Sequence, residues 1–268
     1  MADDPVAEYK AKQRETWALG NFGDIAAFTT ITAGHLVRFA GVQAGQKLLD
    51  VACGTGVVAI TAARQGASVT GLDLTPELLA QAKASAPVAG VEIDWKEGDA
   101  ESLPFADASF DVVLSQFGHM FAPRPAVVTK ELLRVLKPGG RIAFATWPPE
   151  TFTGRNFVMS TRYLPQPGPE VSPPVQWGDP GVVRERLGAA VKNLFFERGV
   201  MGIPALSPEH YMAWHGTRVG PSIKARAILQ KEPAKLEAYL KEYRALLSEY
   251  FVDNVVRHEY LLTRAIKA

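Results

Sequence analysis

The stretch Leu48-Leu49-Asp50-Val51-Ala52-Cys53-Gly54-Thr55-Gly56 is an apolar run that ends in an acid and breaks at once into a small-residue loop. A run so short and so apolar predicts a strand buried on both faces, as in a parallel sheet. The glycines predict a tight turn into a helix over Val57 to Gln65, which Gly66 stops. The same unit then repeats. A strand from Ser68 to Leu72 ends at Asp73, and Thr75-Pro76-Glu77 starts a helix, with Thr75 at the cap and Pro76 at the first position, running to about Ala86. Strands follow over Val91 to Glu97, Phe110 to Ser115 and Arg141 to Thr146, with a helix over Ala126 to Leu136 and a Lys137-Pro138-Gly139-Gly140 turn. Strand and helix in alternation predict an α/β fold with a doubly wound parallel sheet.

The flanks read differently. Val6 to Trp17 and Asn21 to Ala40 carry apolar residues at helical spacing, so residues 1–45 are expected to form a helical lid ahead of a core at 46–146. From 147 to 268 a proline-dense stretch, Trp147 to Asp179, is expected to form an ordered cap over the carboxyl edge of the sheet. Helices are expected over Pro180 to Gly188 and Ser207 to Leu229, and strands over Val191 to Met201 and Arg257 to Ile266, within one elaborated domain. Pro233 to Tyr250 is amphipathic, with evenly mixed charges on its polar face, and is expected to pack on the sheet.

Composition removes several function classes. A net charge of +1 without like-charged blocks gives nucleic acid nothing to hold, so the expected partner is a small molecule. Cys53 is the single cysteine, which excludes an internal disulfide. With no signal-like or membrane-spanning apolar stretch, the expected location is the cytoplasm. His210 and His215 are five apart, outside the spacing of a helical metal pair and without an acid cluster, so no metal is expected, and substrate contact stays open for both.

In an open parallel sheet, ligands bind beyond the carboxyl ends of the strands. Asp73 lies nineteen residues after Gly54 at such an end, where a carboxylate can accept from both hydroxyls of a ribose, and Asp99 ends the third strand, where it can accept from an exocyclic amine. The loop, Val-Thr-Gly-Leu-Asp-Leu, Glu-Gly-Asp-Ala-Glu-Ser-Leu-Pro-Phe, Ser-Phe-Asp-Val-Val-Leu-Ser and Glu-Leu-Leu-Arg-Val-Leu-Lys-Pro-Gly-Gly follow one another between Lys47 and Thr146. As a set, they resemble class I S-adenosylmethionine-dependent methyltransferases, most closely the branch that contains the ubiquinone/menaquinone C-methyltransferases.

That resemblance implies a seven-stranded, mostly parallel Rossmann-like sheet whose last two strands pair antiparallel. It also implies methyl transfer from S-adenosylmethionine, leaving S-adenosylhomocysteine, to a small apolar or aromatic acceptor on oxygen, nitrogen or carbon. Asp50 with Ala52, Cys53, Gly54, Thr55 and Gly56 would hold the methionine part, Asp73 and Leu74 the ribose, and Asp99 with the Ala100 N–H the adenine. Ser115 and Gln116 would lie near the sulfonium, and the lid residues Trp17 and Phe22 either contact the cofactor or simply pack the lid.

Other readings stay in view. A nicotinamide-dependent oxidoreductase shares the first two elements, but Asp50 at the strand end would repel a pyrophosphate and suits a cationic amino-acid moiety. A non-catalytic sensor of the cofactor or its product would share every binding residue and differ only in the acceptor pocket. His119, just past the fourth strand, is the candidate general base, or else a loop histidine packed against Phe117 and Phe121. Cys53 lacks a partner base and reads as structural. Trp147, Phe152, Arg155, Trp177 and Trp214 are the candidates for the substrate side.

Overall fold

The computed structural model describes residues 4–268, so the first three residues of the expected lid lie outside the described residues. Helix α1 (Pro5–Ala18) starts where Asp4 accepts a 3.0 Å hydrogen bond from the Val6 N–H, with Pro5 in the first turn, and α2 (Phe22–Ala40) ends on left-handed Gly41. The core then runs β1 (Lys47–Val51), α3 (Val57–Arg64), β2 (Ser68–Asp73), α4 (Pro76–Val88), β3 (Asp94–Glu97), β4 (Phe110–Gln116), α5 (Pro125–Val135) and β5 (Leu136–Thr146). After it come α6 (Phe152–Ser160), α7 (Pro180–Leu187), β6 (Val191–Pro204), α8 (Pro208–His215), α9 (Gly220–Leu229), α10 (Pro233–Ser248), β7 (Phe251–Val252) and β8 (Val255–Lys267).

The strands order as β3-β2-β1-β4-β5-β8-β6, a path of seven, with the two-residue β7 paired to the start of β8 as an eighth. The first five are mutually parallel, and β8 runs antiparallel to both β5 and β6. Leu48 sits opposite Val69 on one side and Val112 on the other, so β1 lies between two strands and is buried from Leu48 onward. A single apolar cluster joins α2, the sheet and the cap.

Three expectations need correction, while Thr75 keeps its expected place at the cap of α4 with a different bond. Strand β3 begins only at Asp94, because Val91 and its neighbours form the loop that leaves α4. The Pro138-Gly139-Gly140 turn is absorbed into β5, whose pairing with β4 shifts register between Phe110 and Val112. Thr75 holds the cap position of α4, but its side chain makes no capping hydrogen bond; instead the Thr75 N–H donates to Asp73. Helix α10 packs against α6, α8 and α9 rather than the sheet, and Tyr239, Tyr243, Leu246 and Leu247 form its buried face. Within the proline-dense stretch the structure adds a regular helix, α6.

Candidate functional site

The loops after β1, β2 and β4, the lid helices and the cap enclose a cavity of about 410 Å³, within the size range of small-molecule sites. At one end lies the Ala52–Thr55 loop. Ala52 (φ 54°), Gly54 (φ 54°) and Gly56 (φ 82°) all adopt the left-handed conformation, which turns the chain sharply between β1 and α3. A Cβ on Gly54 would meet nothing within 4 Å, so the loop's face is open to a ligand. The Cys53 thiol lies on this wall, and burial followed by the nearby Asp50 and Asp73 carboxylates pushes its pKa well up, which leaves it unreactive.

Asp73 joins this loop to the next. Its Oδ2 accepts from the Gly54 N–H at 2.8 Å and its Oδ1 from the Thr75 N–H at 2.8 Å, and burial raises its pKa. The Leu74 N–H and the Thr75 hydroxyl also approach this carboxylate, which leaves its outer lone pairs for a ligand. Leu74 and Ala100 share the wall with Asp73 and Asp99. Asp99 accepts from the Glu101 N–H at 2.8 Å and pairs with Lys10 at 2.6 Å.

Lys10 brings the lid into the site. Its ammonium also meets Glu101 at 2.6 Å, and the fully buried Glu101 carboxylate is held from the other side by Arg124. A second tie comes from Lys224 of α9, whose Nζ donates to Thr16 Oγ1 at 2.6 Å. Trp17 and Phe22 pack the lid, and both also border the cavity. Their ring centroids lie 5.6 Å apart, and Trp17 meets Phe121 at 4.8 Å.

Three residues expected to face a ligand lie off the wall. Asp50 is 1% exposed and sits behind the loop, where Oδ2 accepts from the Ala59 N–H of α3 at 3.0 Å and Oδ1 has no partner. Its negative charge therefore complements the first turn of a helix, and burial pushes its pKa well up. Placed there, Asp50 makes no contact with a ligand in the cavity, cationic or otherwise. Gly56 is needed for packing, because a Cβ there would fall 2.6 Å from the Trp95 ring. Ser115 donates to the Val51 carbonyl at 2.7 Å and accepts from the His119 N–H at 3.0 Å, so it ties the end of β1 to the loop after β4. Gln116 does border the cavity; its Nε2 donates to the Thr29 carbonyl at 3.1 Å and its Oε1 is buried without a partner.

His119 is 0% exposed. Its ring packs against Phe144 at 4.6 Å and Trp177 at 4.7 Å, neither ring nitrogen has a hydrogen-bond partner, and burial followed by nearby Arg186 lowers its pKa to about 3. The residue borders the cavity, yet a sealed imidazole of such low basicity is poorly matched to taking a proton at neutral pH.

The cap forms the other end of the cavity. Thr153 of α6, Tyr211 of α8 and His258 of β8 form a chain: Thr153 Oγ1 lies 3.0 Å from His258 Nδ1, and His258 Nε2 lies 3.0 Å from the Tyr211 hydroxyl. Beside them His215 Nδ1 meets Ser222 Oγ at 3.1 Å, and the Tyr243 hydroxyl is buried without a partner. Burial is the leading cause that lowers His258 to about 3 and His215 to about 4, so both rings are neutral, while it raises Tyr211 and Tyr243. Among the described residues, Lys10, Asp73 and Asp99 are the only charged side chains on the whole cavity wall, all at the first end.

Of the aromatic candidates, Trp147 and Phe152 border the cavity. Trp177 is buried against His119 and Phe144, Arg155 pairs with Glu249 at the surface, and Trp214 packs on Phe28. His210 caps the Leu206 N–H instead of facing the cavity. Residues that the sequence reading passed over include Lys10, Glu101, Thr153, Tyr211, Tyr243 and His258. Asp99-x-Glu101 was a visible signal for the acidic pair, whereas the tyrosines sit at spacings that read equally well as core, and His258 has no local signature.

Residues 49–144 match the methyltransferase domain family. An uncharacterized protein of Mycobacterium tuberculosis strain H37Rv is 37% identical over 98% of this chain and 98% of its own. The ubiquinone biosynthesis O-methyltransferase of Escherichia coli O6:H1 is 28% identical over 85% of this chain and 93% of its own. Among solved structures, a putative methyltransferase of Bacillus halodurans C-125 superposes with a TM-score of 0.59 at 22% identity, covering 88% of this chain and 98% of that one.

Proposed function

Since this chain belongs to the class I S-adenosylmethionine-dependent methyltransferases, we propose that it transfers a methyl group to a small, uncharged aromatic or apolar acceptor held under the cap. One observation carries this reading: the cavity is continuous, with its carboxylates confined to the end at the glycine loop and an aromatic, charge-free wall at the other. The name of the Escherichia coli relative supports oxygen as the atom methylated.

The residues present fit the cofactor. The open face of Gly54 gives the methionine portion backbone to lie against, and the outer lone pairs of Asp73 suit the two ribose hydroxyls. Asp99 and the Ala100 N–H suit the adenine edge, and Gln116 borders the cavity at the end of β4. Bound there, S-adenosylmethionine supplies an electrophilic methyl on a sulfonium.

The chain's own contribution is alignment and exclusion of water. Trp17, Phe121 and Trp147 close an apolar wall between the two ends, so an acceptor meets the methyl in line and with little solvent to compete. His119 is not assigned as the base. A phenolic acceptor would lose its proton to bulk solvent on entry, so that the phenolate meets the sulfonium charge and both products leave neutral, with proximity and desolvation carrying most of the rate.

Calorimetry with S-adenosylhomocysteine and with NAD, followed by transfer of labelled methyl to small aromatic acceptors, tests the reading. Expected are preferential binding of S-adenosylhomocysteine, a loss of roughly 10- to 100-fold in that affinity for Asp73→Asn from weakened charge-assisted hydrogen bonds, and transfer to uncharged acceptors. Preferential NAD binding, or tight binding of both cofactor forms without transfer to any acceptor, overturns it.

A further inference from the structure

We propose that the Thr153–His258–Tyr211 chain is the specificity site for a second oxygen on the acceptor, remote from the atom that is methylated. The inference rests on the methyltransferase reading above and adds what the substrate must carry: a planar, uncharged ring system with a hydroxyl or carbonyl at the edge opposite the reacting position.

The placement follows from the stacking of the site. Phe117 leaves β4 in a left-handed turn (φ 57°) beside the cofactor loop, where Gly118 packs so closely on Ala52 that a Cβ would fall 2.5 Å from it. The Phe117 ring stacks on Trp147 at 3.7 Å, and Trp147 in turn faces His258 at 6.0 Å. His258 and Tyr211 therefore stand an aromatic layer beyond the transfer point, too far back to take a proton from the reacting atom and well placed to meet the far edge of a flat acceptor.

Polar groups at that depth need a reason. Tyr211 is 1% exposed and His258 5%, both on the cavity wall, among Phe152, Met201, Ile203, Tyr243 and the neutral ring of His215, which stacks on Tyr211 at 5.1 Å. The hydrogen bonds of the chain use one hydrogen per contact and leave Tyr211 with capacity to spare. If Thr153 donates to Nδ1, then Nε2–H donates to the Tyr211 oxygen and frees the phenolic O–H to donate to a carbonyl. In the other tautomer the Tyr211 O–H donates to Nε2 and its oxygen accepts from a hydroxyl. The Tyr243 hydroxyl is buried beside that of Tyr211 and backs it from behind the wall. No carboxylate, ammonium or guanidinium borders this end; Arg226, whose charge reaches His215 and Tyr243, lies off the wall, so a charged acceptor would be desolvated without a counter-charge in contact and is disfavoured.

The test uses the full chain loaded with S-adenosylhomocysteine for binding and with labelled S-adenosylmethionine for turnover. The probes are 2-naphthol, 2,6-dihydroxynaphthalene and 6-hydroxy-2-naphthoate. Expected for the wild type is that the dihydroxy probe binds, and has a KM, at least about tenfold better than 2-naphthol, as one buried hydrogen bond predicts, with the carboxylate weakest. Tyr211→Phe and Thr153→Val are each expected to bring the dihydroxy-to-monohydroxy ratio to within about twofold while the affinity for S-adenosylhomocysteine stays unchanged. A wild-type ratio near one, a ratio that survives both substitutions, tight binding of the carboxylate, or no binding of either naphthol overturns the inference. Failure of S-adenosylhomocysteine to bind the wild type overturns the methyltransferase reading instead, so the two failures are distinct.

Discussion

Replacing His119 by Phe separates two roles that the same residue was offered by its position after β4. The imidazole is sealed between Phe144 and Trp177, and both nitrogens lack partners. In the unfolded chain its pKa returns to the ordinary histidine value of 6.5, whereas burial and Arg186 hold it at about 3 in the fold. A depressed histidine contributes stability that is fully present above the unfolded value and is lost as pH falls toward the folded one. At pH 5 the unfolded state has gained about 2 kcal/mol from protonation that the folded state refuses. His119→Phe removes that loss. At pH 7 two smaller effects oppose each other: relief of the unpartnered nitrogens, about 1–3 kcal/mol, and the larger ring, about 1–3 kcal/mol. The diagnostic quantity is therefore the change with pH. Urea unfolding of both proteins at pH 7, 6 and 5 is expected to show the variant gaining about 2 kcal/mol on the wild type between the ends of that range. Every other titrating group is common to the two and cancels. Methyl transfer to an acceptor that the wild type turns over is expected to keep its kcat within about threefold, whereas loss of a general base costs 10²- to 10⁴-fold. Parallel pH curves would refute the burial argument, and a kcat loss of that size would restore His119 as the base.

Further outcomes follow from the lid and the loop. Lys10→Met removes the ammonium that joins Asp99 to Glu101 while Arg124 still holds Glu101. The expectation is S-adenosylhomocysteine release faster by about tenfold in stopped-flow, and an unchanged rate would detach the lid from cofactor retention. Gly118→Ala forces a Cβ against Ala52 and its carbonyl, so unfolding free energy is expected to fall by about 1–3 kcal/mol. Cofactor affinity should fall with it, and a variant as stable as wild type would show that the loop can give way.

How far the sequence could be read depended on whether a signal was local. β1, the glycine loop and the acid at the end of β2 announce themselves within a few residues, because a buried parallel strand and a left-handed turn each demand particular side chains. Asp50 was legible as an acid at a strand end but not as a helix anchor, since only the fold reveals that its carboxylate turns back to the Ala59 N–H. Helix α6 was hidden because prolines on both sides of Phe152–Ser160 made the whole stretch read as irregular. For α10 the amphipathic spacing identified the helix but not its neighbours, as periodicity reports a buried face and not what covers it. Thr153, Tyr211 and His258 lie more than a hundred residues apart at the extremes and meet only through cap folding, so no spacing rule could have joined them.

The cavity is assembled from two separate parts of the chain. The glycine-loop end draws on the lid and the loops through Gln116, while the far end draws on α6, α8, α9, α10 and the paired strands β6 and β8, all C-terminal to Thr146. Such an arrangement uncouples inheritance of the two specificities. On the proposed reading, substitutions at the far end would change the choice of acceptor while leaving Asp73 and Asp99 in place, with α9 also tying the lid, through Lys224 and Thr16. A lineage built this way can diversify its chemistry of recognition while its chemistry of transfer stands still.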